Sequence, residues 1–286
     1  MTTTRHSNLG AALRTGALMA TLGAVLVAIG YAIGGIETAS LFLVGALFFN
    51  LIQFFFSDKI ALKASGAKPV TEEEAPRLYQ MVRELTTRAG LPMPTLHIIP
   101  QAQPNAFATG RSPKKSAVAV TQGLLANLSE DEVRGVLAHE LAHIRNRDML
   151  TTTIASSIGM AITYIAYMFM WFGGDDESPL GLIAGLGMII LAPISATLIQ
   201  LAVSRQREYS ADATGAEISG NPESLASALL RLQEGAAATP MQVNQAAEPL
   251  YIVKPFSGGG FSKLFSTHPP IEERVRRLRQ MRPTIG

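Results

Sequence analysis

His139 and His143 stand four residues apart, and Glu140 directly follows the first of them. On a helix this spacing puts both imidazoles on one face, where they can reach a single ion. The run Leu137-Ala138-His139-Glu140-Leu141-Ala142-His143 is an H-E-x-x-H arrangement. In that arrangement two histidines hold zinc and the glutamate handles the proton of an activated water. The plain alternative is a solvated helix face that carries two histidines by coincidence. The chain has no cysteine, which excludes disulfides and thiolate metal sites. Any metal must therefore be held by His, Asp or Glu, and with five histidines in 286 residues the candidates are few.

The motif needs a helix to carry it. Ser129-Glu130-Asp131-Glu132 reads as a capping box and predicts a helix from there to about Arg147. Upstream, Thr71-Glu72-Glu73-Glu74 reads as another capping box. It predicts a helix with Leu78, Met81, Val82 and Leu85 on one face and an end near Gly90 and Pro92. Leu96–Ile99, Ala106–Gly110 and Ala117–Thr121 are strand candidates, the last two joined by the turn-like Arg111-Ser112-Pro113-Lys114-Lys115. A small sheet beside the motif helix follows. Asn221-Pro222-Glu223 opens a later helix, and a basic helix runs from Ile271 to about Met281.

The rest of the chain is apolar. It is 48% hydrophobic and 16% charged, with a mean hydropathy of +0.23, whereas soluble domains carry about 25% charged residues. A net charge of +2 is too small to argue for a nucleic-acid partner. The runs 15–36, 38–57, 149–174 and 178–204 lack charge, and each has about the length a membrane helix needs. The division expected is a polar N-terminus over 1–14, a membrane hairpin over 15–57 and a first catalytic segment over 58–148. A second hairpin over 149–204 and a second catalytic segment over 205–286 complete it. Basic residues flank the runs at Arg5, Arg14, Lys59, Lys63, Lys68, Arg145, Arg147, Arg205 and Arg207, while the other two connections carry only acids. By the positive-inside rule both termini and the polar segments face the cytoplasm.

Two histidines leave zinc short of a protein ligand. The second hairpin must return the chain to the side it left, and Glu208 lies within about five residues of its end, roughly 8 Å by helical rise. Glu208 is thus the candidate third ligand. Asp212, one turn further on the same face, can accept the free N–H of a ligand histidine. An ion pair with Arg205 or Arg207 is the alternative for Glu208, and a helix-face ion pair the alternative for Asp212.

Taken together, these motifs resemble the M48 family of zinc metallopeptidases, in its HtpX-like membrane branch. The resemblance is carried by Val136–Ile144, by Arg207-Glu208-Tyr209-Ser210-Ala211-Asp212, by Asn105–Gly110, by Ser266-Thr267-His268-Pro269-Pro270 and by the two pairs of apolar runs. It covers nearly the whole chain. It implies a mainly α fold with a small β-sheet: four transmembrane helices and a cytoplasmic zincin-like (gluzincin) domain holding one zinc ion. It also implies an endopeptidase in membrane-protein quality control, acting at the plasma membrane on misfolded membrane proteins. His268 would then help stabilise the oxyanion, Asn105 would contact substrate or oxyanion, and Arg274 would be a structural partner of the active-site helices. The strand 105–110 would pair with extended substrate. The rivals are a prenyl-protein protease of the same family and a non-catalytic membrane scaffold with a metal site. His97 matches no ligand pattern and reads as a strand residue.

Overall fold

The computed structural model describes residues 3–150, 152–154, 205–238, 250–252 and 269–281. Its elements are, in chain order, α1 (Thr3–Ala64), β1 (Lys68–Pro69), α2 (Pro76–Ala89), β2 (Thr95–Ile99), β3 (Ala106–Ser112), β4 (Lys115–Thr121), α3 (Gln122–Asn127) and α4 (Glu130–Asn146). After the apolar run beginning at Met149 come α5 (Arg205–Ser219), α6 (Pro222–Ala238) and α7 (Ile271–Arg279). The chain is mainly helical with a small mixed sheet, as expected.

Helix α1 is not one straight rod. Its 62 residues would extend about 93 Å. Yet the Asn50 side-chain amide donates to the Met19 carbonyl at 3.1 Å, across 31 residues of sequence. The chain must double back between them, and it does so at Gly35, whose φ of +67° suits a residue without a Cβ. Around the turn Ala39 and Ala46 are buried, and a Cβ at Gly23 would come 4.0 Å from the Ala46 side chain. Small residues of this kind let two apolar helices approach closely. Leu41, Val44, Leu47, Phe48 and Leu51 face outward. The stretch Gly35–Ile52 is long and apolar enough to cross a membrane, and among the described residues it is the one stretch that meets both criteria. The expected runs 149–174 and 178–204 lie almost wholly outside the described residues.

The sheet has the order β1-β2-β4-β3, with β2 and β4 parallel and the other pairs antiparallel. Strand β3 is therefore an edge. One sheet face meets α2 and α4 through Leu96, Ala106, Val118 and Val120, which join Leu85, Val136, Leu137 and Leu141 in the main core. The other face is covered by Ala61 from the end of α1 and by Leu250 and Tyr251, packed on Ile99, Phe107 and Ala119.

One expectation is corrected. Thr71–Glu74 does not open a helix: Glu74 accepts from the Thr71 N–H at 2.8 Å, but Thr71 gives no side-chain cap to α2, which begins at Pro76. Proline supplies the start because the first helical turn has no use for its missing N–H. The short elements β1 and α3 were not foreseen, since two and six residues are too few to show periodicity. The Ser129–Glu132 capping box is complete in both directions.

Candidate functional site

Helix α4 carries the motif on the face it buries against α5 and β3, with His139 and Glu140 almost wholly enclosed. The His139 and His143 rings stand 4.7 Å apart at nearly right angles. Helix α5 brings Glu208 opposite them: Glu208 Oε1 lies 3.5 Å from His143 Nε2, and Oε2 lies 3.9 Å from His139 Nε2. One ligand atom from each of the three residues falls within 4.8 Å of the others. Tetrahedral coordination at about 2.0–2.2 Å would set such atoms roughly 3.3 Å apart, so only small rotations are needed for all three to hold one ion. The approach of the helices depends on Gly215, where a Cβ would stand 3.0 Å from His139 N and Cα.

Behind the histidines stand carboxylates. His139 Nδ1 is 3.0 Å from Asp212 Oδ1, and His143 Nδ1 is 3.6 Å from Asp148 Oδ2. Arg274, fully enclosed on α7, grips Asp212 with two donors at 2.7 and 2.9 Å. Its remaining nitrogen reaches toward the Ile252 carbonyl at 3.5 Å and Glu208 Oε2 at 3.6 Å. The structure thus brings together five residues from the sequence reading: His139, Glu140, His143, Glu208 and Asp212. Arg274, which the resemblance implies as a structural partner of the active-site helices, joins them from the far end of the chain.

Among the described residues the cluster holds more acids than cations. Glu140, Asp148, Glu208 and Asp212 face two guanidiniums, Arg274 and Arg207. Burial disfavours charge on His139 and lowers its pKa to about 4. Burial also raises Glu140 to about 7, with the Glu208 charge adding to it. At His143 burial opposes the cation, but Asp148 and Glu208 outweigh it and raise the pKa to about 9. The acidic surroundings thus favour a proton on His143 and hold Glu140 above the ordinary carboxylate range. A divalent cation between the imidazoles and Glu208 would offset the same acids, which is the fit expected of a metal site.

Asn105 is fully buried, and its Oδ1 accepts from the Ala106 N–H at 3.1 Å. Its own N–H donates to Thr121 Oγ1 and its carbonyl accepts from the Thr121 N–H, so it anchors the start of β3. The edge of β3 is partly used by the chain itself. The Ile252 N–H donates to the Ala106 carbonyl at 3.2 Å, and the Ala108 N–H donates to the Glu140 carboxylate. His268 lies outside the described residues. His97 sits on β2, buried as a strand residue. Asp148 was not singled out from the sequence. The available signal was an acid just past the motif helix, too common to mark a residue by itself.

Comparison with known proteins agrees with this geometry. A match to peptidase family M48 spans residues 72–282. The chain belongs to peptidase family M48. It is 55% identical over 276 residues to a protease HtpX homolog of Pelotomaculum thermopropionicum, covering 94% of this chain and 98% of that one. It is 50% identical to another protease HtpX homolog from Pyrococcus abyssi, covering 97% and 98%. Among solved structures, that of S. mikatae Ste24p matches 96% of this chain and 67% of its own, with a TM-score of 0.51 at 19% identity, a likeness of fold. The chain is a membrane metalloprotease of the HtpX kind within M48.

Proposed function

We propose that the M48 chain is a zinc-dependent endopeptidase in which His139, His143 and Glu208 hold the metal and Glu140 is the general base. The observation that carries this reading is the meeting of three ligand atoms from α4 and α5 within 4.8 Å, next to a buried glutamate. When bound, zinc supplies a Lewis acid that acidifies water near neutral pH and polarises a carbonyl. Glu140 takes the proton of the attacking water and delivers it to the leaving amine. The Ala108 N–H holds the Glu140 carboxylate in place until then. Asp212, fixed by Arg274, lies 3.0 Å from His139 Nδ1, where its carboxylate would accept the ring N–H and leave Nε2 for the metal.

Extended polypeptide is the substrate, paired with the 105–110 strand as the resemblance implies. By the resemblance, Asn105 would contact substrate or oxyanion and His268 would help stabilise the oxyanion. The apolar runs support four membrane spans, with the catalytic segments and both termini in the cytoplasm, as the basic residues beside the runs indicate. Misfolded membrane proteins and their cytoplasmic loops suit a site so placed.

Purified protein in detergent, incubated with unfolded casein, tests the reading. Glu140→Gln is expected to lose about 10²–10⁴-fold in cleavage rate while retaining zinc by elemental analysis. Phenanthroline is expected to abolish cleavage and added zinc to restore it. Full activity in Glu140→Gln would end the mechanism, and full activity after exhaustive chelation would end the metal assignment.

A further inference from the structure

The two histidines are backed by two carboxylates, and the motif accounts for one. Each ring turns Nε2 toward Glu208 and Nδ1 toward an acid: His139 toward Asp212 at 3.0 Å, His143 toward Asp148 at 3.6 Å. Each imidazole thus has one carboxylate in front and another behind, and His139 Nε2 also has Arg274 Nη2 at 3.4 Å.

Local sequence puts Asp148 there. Helix α4 closes at Arg147, whose φ of +59° turns the chain out of the helix. The Arg147 N–H donates to the Ile144 carbonyl and the Asp148 N–H to the His143 carbonyl at 3.0 Å. The second of these bonds folds Asp148 back over the residue whose ring it faces. Asp148 is buried, and Arg207 Nε on α5 lies 3.9 Å from its other oxygen. Asp148 precedes the uncharged run that starts at Met149, and Arg207 follows the one that ends at Ser204. Their contact therefore joins the two ends of the 149–204 segment.

We propose that Asp148 is a positioning residue for the metal site. Its carboxylate holds His143 through Nδ1 so that Nε2 points at the ion, and its contact with Arg207 makes that hold depend on the two ends of the 149–204 segment staying together. The inference rests on His139, His143 and Glu208 being the metal ligands. A carboxylate behind a ligating imidazole fixes its tautomer and its angle and makes it a better donor; removing such a partner costs about 10–100-fold in metal affinity. The alternative duty for Asp148 is to close the helix. That is done by its backbone N–H, which alanine also supplies, so side-chain replacement separates the two roles.

The test uses the full chain in detergent. Zinc affinity is read by competition with a chromophoric chelator, and ligand geometry by the visible absorption of the cobalt-substituted protein. Asp148→Ala is expected to weaken zinc binding by about 10–100-fold and to change the cobalt spectrum. Asp148→Glu is expected to recover part of the affinity, and Arg207→Gln to lose less than Asp148→Ala. Should Asp148→Ala fail to fold, Asp148→Asn, which keeps the size and an acceptor oxygen, is expected to fall between alanine and wild type. Wild-type zinc affinity and cobalt spectrum in the folded Asp148 variants would overturn the proposal, and wild-type affinity in Arg207→Gln would overturn its second half. If His143→Ala also binds zinc as wild type does, the ligand assignment is what has failed.

Discussion

Glu140 must be ionised to accept a proton, and its surroundings oppose this. Burial raises it to about 7, with Glu208 adding to the shift, while a cation nearby pulls it down. A base works only when deprotonated, so kcat/KM should rise with pH through the Glu140 pKa. The acid limb of the profile is expected at or below pH 7, and no limb in that range would mean a different base. Asp212 behaves in the opposite way. Burial alone would raise its pKa, but Arg274 outweighs burial and holds it at about 2, below the ordinary 3.8. A depressed carboxylate lends stability that is complete above its ordinary pKa and is lost as pH falls through the lowered one. Acid unfolding is therefore expected to set in between about pH 4 and 2. Asp212→Ala leaves the Arg274 charge buried and unmatched, so a loss of about 3–5 kcal/mol in denaturant unfolding at neutral pH is expected.

At the scale of elements, the site is a contact between α4 and α5. Glu208, Ala211, Asp212 and Gly215 share the buried face of α5, spaced by three or four residues. Gly215 lets that face come against the backbone of His139 itself. A larger side chain must push the helices apart and carry Glu208 and Asp212 with it. Gly215→Leu is expected to cost about 1–3 kcal/mol in stability and to weaken zinc binding, while Gly215→Ala does both to a smaller degree. Unchanged zinc affinity in Gly215→Leu would show that Glu208 is placed by something else. The strand β3 has its own element-level feature: the Ile252 N–H donates to the Ala106 carbonyl, and Thr109 bonds Thr153 just past the start of the 149–204 run.

For the whole molecule, the question is which side of the membrane each segment occupies. The chain has no cysteine, so single introduced thiols report cleanly. Lys114→Cys, in the turn between β3 and β4, and Asp176→Cys, between the last two apolar runs, should label from opposite sides in membrane vesicles. Labelling from the same side would overturn the four-span reading. The helical hairpin of α1 already joins the apolar part to the catalytic part, because Ala61 near its end packs in one cluster with Phe107 and Tyr251.

The sequence by itself marked the proposed ligand pair and base and determined the helix that carries them. All three depend on short-range rules: a four-residue spacing, a capping box and a helical period. It also marked the apolar runs, because crossing a bilayer is a matter of length and composition. Glu208 and Asp212 could be read only by asking where a returning chain must end, and Arg274 only by resemblance. Tertiary structure alone decided that Asp148 faces His143, that Arg274 pairs with Asp212, and that Ile252 lies against the edge of β3. Asp212 and Arg274 are 62 residues apart, and no local period links residues so distant. Their meeting depends on how α4, α5 and α7 pack, and packing is a property of three surfaces together.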